Sequence, residues 1–158
     1  MGRPGSLTGA AGVYYVASCL AFRGLHASLT IGNAPFVDLL VSSPNGRASL
    51  ALQVKTAAWA ERTRGRGQAK ALHHFEWDVG EKNAKHAQPG LFFAFVDLRN
   101  FEAMPAVFIL PSEAIAEWFR PHGELKRWRY HPLEAELAPY RDKWDLLENY
   151  LTSHHPTT

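Results

Sequence analysis

The apolar residues change period several times along the chain, and each change marks an element. Residues 36–55 (FVDLLVSSPNGRASLALQVK) hold two runs rich in Val and Leu on either side of Asn45-Gly46, the strongest short-range signal for a two-residue hairpin turn. With those two residues as the turn, cross-strand partners have numbers that sum to 91 and Asp38 lies opposite Gln53. Strand alternation then gives two faces. One carries Val37, Leu39, Val41, Leu50, Leu52 and Val54, uniformly apolar and expected in the core. The other carries Asp38, Leu40, Ala51, Gln53 and Lys55, so an acid, an amide and an amine converge at the open end of the hairpin. Pro44 leaves open a longer loop, and a slip of one residue would move a strand to the opposite face. On spacing alone, Asp38 and Lys55 read equally as a site or as two solvated strand ends.

The remaining elements follow from period and punctuation. Residues 6–24 place Val13, Val16, Ala17, Leu20 and Ala21 on a helical stripe, with Ser6 or Thr8 as cap and Gly24 suited to the C′ position. Residues 26–31 alternate loosely as a short strand. Residues 56–72 centre on Glu61-Arg62-Thr63-Arg64-Gly65-Arg66-Gly67-Gln68-Ala69-Lys70. Arg62, Arg64, Arg66 and Lys70 with two glycines read as a mobile basic loop, either a clamp on phosphates or a solvated surface loop. Residues 73–79 alternate as a strand, and 81–88 form a polar turn or short helix closed by Pro89-Gly90. The apolar runs 91–98 and 106–110 read as strands buried on both faces. Ser112 caps a helix running to Arg120, with Glu113 in its first turn. Residues 133–151 are helical in pieces, interrupted at Pro139 and packed through Trp144, Leu147 and Leu151. Residues 154–158 read as a disordered tail. The sum is an α/β (α+β) fold, a mixed central sheet flanked by helices, in one domain over residues 1–153.

Composition adds the sign of the partner and the compartment. The net charge of the 158 residues is only +2, but residues 1–79 hold eight Lys/Arg against four Asp/Glu, while 80–158 hold nine against eleven. The basic excess lies in the half with the hairpin, as an anionic partner requires. Cys19 is the single cysteine, which excludes an intramolecular disulfide and a thiolate zinc site and fits a reducing cytoplasm. Val16-Ala17-Ser18-Cys19 has the small-residue pattern of a lipoprotein cleavage site. Thr8, the glycines and Tyr14-Tyr15 weaken the preceding apolar stretch, which is also too short to span a bilayer. The expectation is a cytoplasmic protein without a membrane partner. His73 and His74 are expected on opposite strand faces, unable to chelate together, and His86 stands alone near the basic loop. No zincin, Walker A, dinucleotide or nucleophile-elbow motif is present. Trp59, beside the basic loop, is a candidate for stacking on an unpaired base.

Asp38, then fourteen residues, then Gln53-Val54-Lys55 resembles the D-x(n)-(E/Q)-x-K signature of the restriction-endonuclease-like (PD-(D/E)xK) nuclease superfamily, in a QxK variant. The resemblance takes in most of the chain. Residues 9–24 resemble the family's first helix, the FVDLLV and LALQVKT strands follow in order, and GLFFAFVDL, VFILPSE and KWDLL resemble a bacterial group of small nuclease-like proteins. The resemblance implies a metal-dependent DNA endonuclease. Mg2+ (or Mn2+) would be held by Asp38, the Gln53 side-chain oxygen and the Val54 carbonyl, all hard oxygen donors. Lys55 would position or help activate the attacking water and offset charge on the phosphate. Arg62, Arg64, Arg66 and Lys70 would take the DNA backbone. The sequence departs from the pattern at one place. The family's first helix carries a glutamate, in a pattern like G-E-Y-Y-V-A, and here Gly12-Val13-Tyr14-Tyr15-Val16-Ala17 puts Val13 in the acidic position. Asp38 is then the sole carboxylate unless Glu76 or Asp78 lies alongside, and weak Mg2+ binding is expected. The departure also gives an alternative, a catalytically impaired nuclease fold that acts as a nucleic-acid-binding or protein-interaction module. A homodimer, through the first helix or the C-terminal helices, would let such a fold act on both strands.

Overall fold

The computed structural model describes residues 5–31, 34–121, 124 and 127–154; of the expected tail, residues 155–158 lie outside these. The helix α1 (Gly5–Phe22) has no charged residue in its eighteen. It stops where the sequence says it must: Leu25 N donates to Leu20 O, Gly24 N donates to Ala21 O, and Gly24 takes φ +79°. This is a Schellman motif, whose left-handed position glycine fills without strain. The strands and helices that follow are β1 (His26–Leu29), β2 (Leu39–Ser42), β3 (Ser49–Ala57), β4 (Glu61–Arg64), β5 (Ala71–Phe75), β6 (Trp77–Asp78), α2 (Glu81–Lys85), β7 (Leu91–Asp97), β8 (Ala106–Pro111), α3 (Ser112–Phe119), β9 (Arg129–Tyr130), α4 (Glu134–Leu137) and α5 (Asp145–Ser153).

The fold is α+β. Its central sheet has the order β1-β2-β3-β7-β8, with β3 and β7 parallel and the other neighbours antiparallel. One face buries Leu39, Val41, Leu50, Leu52, Val54, Phe92, Ala94 and Val96 under α1 and the C-terminal residues Trp144, Leu147 and Leu151. The other buries Phe93, Phe95, Phe108 and Leu110 under Phe75, Trp77, Ile115, Phe119, Tyr130 and Leu137. Every residue of β7 is buried, as its unbroken apolar run requires of a strand covered on both faces.

The hairpin keeps its expected register and changes its turn. Leu39 pairs with Leu52 and Ser42 with Ser49. Ser43 N donates to Ala48 O, so the loop is residues 44–47, within which Gly46 takes φ +69° and donates to Ser43 O. Asn45 Oδ1 accepts from Ser43 Oγ and Arg47 N and holds the loop closed. A four-residue loop centred on the same Asn45–Gly46 bond preserves the partners from Leu39–Leu52 to Ser42–Ser49, while Asp38, expected opposite Gln53, stands before the ladder and donates its N–H to Leu52 O.

Four expectations are corrected. The basic segment is an antiparallel ribbon, β4–β5, not a loop. The strand expected over 73–79 breaks in two, since β5 pairs with β4 whereas β6 pairs with β9. Ser112 is the first buried residue of α3 rather than its cap; Pro111 holds the cap position, and Ser112 Oγ donates to Gln88 O and accepts from Gln88 N. Finally, α1 is long and apolar enough by length and composition to cross a membrane, so length does not exclude a span, although Gly12, Val16 and Leu20 pack on the sheet.

α1 lies tightly against the sheet at Gly12, where a Cβ would fall inside the Thr56 side chain. Overpacking of this kind costs roughly 1–3 kcal/mol, against about 1 kcal/mol gained by replacing a mid-helix glycine. Gly12→Ala should therefore lower stability in urea denaturation. In a Thr56→Gly background the same substitution should cost nothing.

Candidate active site at the open end of the hairpin

Asp38 is held from both sides, by β3 and by Thr30 just after β1. Its N donates to Leu52 O at 2.9 Å and its carbonyl accepts from Thr30 N at 3.1 Å, while Thr30 Oγ1 donates to Val37 O at 2.7 Å. The carboxylate is thereby aimed across the end of β2 at β3. Its Oδ2 accepts from Gln53 Nε2 at 2.5 Å and from Val54 N at 2.7 Å. The register thus brings Asp38, Gln53 and Val54 into direct contact. Gln53 is buried, and Asp38 and Lys55 are half-buried.

Partial burial shapes the charges. Desolvation pushes the Asp38 carboxyl above its ordinary range, and the Val54 N–H and the Lys55 ammonium pull it partway back. Desolvation pushes Lys55 down, and Asp38 and Asp78 offset this. Each group is charged at a cost that an incoming ion of opposite sign would relieve. Asp78 comes from β6, which packs across β3, so of the two acids on the expected strand Asp78 lies on an element alongside the site, while Glu76 sits in the break between β5 and β6. Asp78 is 82% exposed and bonded to Arg129.

A cavity of about 420 Å3 opens at Asp38 and Gln53, walled by Val13 and Tyr14 of α1, Leu29, Phe36, and Lys82 and Asn83 of α2. Val13 therefore faces the same space as Asp38, and an apolar wall stands where a second acid could have been. Phe36 holds a left-handed φ of +69°, a conformation that needs support from its surroundings. Its ring stacks on His86 with centroids 3.9 Å apart. That places His86 against Phe36 of the cavity wall.

The donor set fits a hard cation in type. Asp38, the Gln53 oxygen and the Val54 carbonyl are all oxygen donors, and a strand residue directs its N–H and C=O to the same neighbour, so the Val54 carbonyl lies on Asp38's side of β3. Since a carboxylate only accepts, Gln53 turns its NH2 toward Asp38. Offering Oε1 instead requires rotation about its soft terminal torsion. Among the described residues no three His, Cys, Asp or Glu side chains gather as a metal cluster, and Asp38 is the one carboxylate among the described residues that line the cavity.

The basic residues divide. Arg62 and Arg64 lie on β4, Arg66 and Lys70 at the turn of the ribbon. Arg64, Arg66 and Lys70 are exposed, whereas Arg62 is half-buried, with Nη1 bonded to the carbonyls of Trp59 and Glu61. The ribbon is hooked to the sheet by Asp97, fully buried at the end of β7, whose Oδ1 accepts from Ala60 N and Arg99 N. Sequence reading passed over Asp97 as part of an apolar run; an acid closing such a run was the available signal. The histidines are a further correction. Arg62 faces His74 while Thr63 faces Leu72, leaving His73 unopposed. This β-bulge breaks the alternation and brings His73 Nδ1 within 3.0 Å of His74 Nδ1.

Compared in three dimensions, the chain is similar to a bacterial homing endonuclease, I-Ssp6803I, with a TM-score of 0.65 over 97% of this chain and 96% of that one, at 14% sequence identity. The likeness establishes a nuclease-like fold across nearly the whole chain. No protein-family model matches the sequence, and no curated protein matches it.

The raised pKa of Asp38 fixes a pH dependence. The folded protein holds the Asp38 proton more tightly than the unfolded chain does. The group's contribution to stability is therefore full below its ordinary 3.8 and is lost as pH rises through the folded value. Asp38→Asn escapes that loss. In urea denaturation it should be more stable than the wild type at pH 7, with the difference vanishing below pH 3.8.

Proposed function

We propose that the protein is a metal-dependent DNA endonuclease of the restriction-endonuclease-like (PD-(D/E)xK) superfamily, with Gln53-Val54-Lys55 as a QxK variant of its motif. One observation carries the reading: the contact of Asp38 with Gln53 and Val54, beside Lys55, at the mouth of a cavity in a chain of nuclease-like fold. The site would hold Mg2+ (or Mn2+) through Asp38, Gln53 and the Val54 carbonyl. When bound, the ion supplies Lewis-acid stabilisation of the phosphate and lowers the pKa of attacking water. The chain's own residues do the rest. Asp38 fixes the site through the main chain of β3. Lys55, with its pKa depressed by burial, positions the water and, as the ammonium, offsets charge on the phosphate.

DNA is the proposed partner. The β4–β5 ribbon presents Arg62, Arg64, Arg66 and Lys70, and a two-stranded ribbon fits the major groove while its cations meet phosphates. A homodimer acting in the cytoplasm would set two such sites on opposite strands.

A second reading has one specific observation in its favour. Val13 on the cavity wall leaves a single carboxylate, which suits a nuclease fold that binds nucleic acid without cutting it. The two readings part on labelled plasmid and branched DNA incubated with Mg2+ or Mn2+. The endonuclease reading predicts metal-dependent cutting, reduced at least about 100-fold by Asp38→Ala and by Lys55→Ala. Absence of cutting with either metal, alongside metal-independent and salt-sensitive binding, would favour the second.

A further inference from the structure

An ion network beside Lys55 is left unused by the chemistry proposed above. Asp78 on β6 is paired across the ribbon with Arg129 on β9. Arg129 Nε donates to Asp78 Oδ1 at 3.0 Å, and its Nη1 donates to Glu76 Oε1 at 3.3 Å. The other oxygen of Glu76 lies 4.0 Å from Nε of Arg62. Two guanidiniums thus flank Glu76, one at the foot of the basic ribbon and one on β9, and the second also holds Asp78. Both arginine side chains stay open to solvent, 42% and 48% exposed. Trp77 of β6 packs in the core on the Lys55 side of the sheet, which puts the network on that side as well.

We propose that Arg129 is a DNA-phosphate-binding residue of this site, and that Glu76 and Asp78 hold it and Arg62 as stand-ins for backbone phosphates until DNA displaces them. The proposal rests on the endonuclease reading and extends its binding surface from the β4–β5 ribbon to β9. A carboxylate offers a guanidinium fork the same pair of oxygens that a phosphate does, and a phosphate brings more charge. Ion pairs this open to solvent contribute little net stability, so an incoming phosphate can exchange for them readily. Their positions suit the role better than a purely structural one. The β6–β9 pair is already held by its main-chain ladder and by the buried Trp77 and Tyr130 rings, stacked with centroids 6.4 Å apart.

The test is binding of a fluorescein-labelled DNA duplex in EDTA over a series of salt concentrations. Arg129→Gln should weaken binding roughly tenfold at moderate salt and flatten the log–log salt slope by about 0.9, the share of one phosphate contact. The Glu76→Gln/Asp78→Asn pair should tighten binding several-fold, and that gain should shrink when Arg129→Gln is added and largely vanish when Arg62→Gln is added as well. A wild-type salt slope in Arg129→Gln would overturn the proposal. So would an acid-pair gain that persists in full without both the Arg129 and Arg62 guanidiniums, since that is only the general effect of removing negative charge. If circular dichroism shows Arg129→Gln unfolded, the acid pair decides alone: no tightening rejects the stand-in role. A wild type that binds no duplex at all would reject the endonuclease reading itself, a separate outcome.

Discussion

The register of β2 against β3 is the constraint from which the site and the core both follow. Leu39 opposite Leu52 fixes the apolar residues of both strands against α1 and sends Gln53 and Lys55 to the opposite face. Asp38, one residue before β2 begins, then falls where its carboxylate reaches Gln53 and the Val54 N–H. A slip of one residue would bury a row of polar groups and dissolve the site in the same step. Core and chemistry are therefore selected by one set of pairings. The fourth strand of the arrangement, β7, fixes the depth of the site by covering β3 on its other edge with a fully buried run.

Burial sets the chemical character of what the register assembles. Asp38 and Lys55 each lose water and each recover part of the loss from the other. Groups in that condition have more to gain from a cation or a phosphate than solvated ones do. The cavity wall is mainly apolar, with Val13, Leu29 and Phe36, and Lys82 is the one further charged residue among those that line it. More charge stands just outside, where Arg62 and Arg129 share Glu76. A nearly neutral centre rimmed by ion pairs makes the single carboxylate at position 38 decisive for any ion the site holds.

The hairpin was legible because two runs of the same period meet at one Asn-Gly step, and an error in loop length about that step leaves the partners unchanged. The buried strands and the helix stop at Gly24 were legible for equally local reasons. The β4–β5 ribbon was not, since ERTR and ALHHF lack an apolar alternation, and the ribbon is held by Asp97 and by burial of Ala60 and Phe75. A bulge has no residue signature, so the meeting of His73 and His74 could not be read. Ser112 has the composition of a cap, but tertiary contact with Gln88 claims its hydroxyl. Arg129 is distant in sequence from the other cations, and only the β6–β9 pairing brings it to Glu76 and Asp78.

The central claim is that the oxygen donors of Asp38, Gln53 and Val54 form one ion site. Iron-directed cleavage of the protein's own backbone measures it directly: Fe2+ takes the place of Mg2+, and ascorbate with peroxide cuts the chain near the bound ion. The account predicts fragments ending close to residues 38 and 54, suppressed by excess Mg2+ and absent in Asp38→Ala. Cuts confined to the His73–His74 bulge, or none that Mg2+ suppresses, would contradict it.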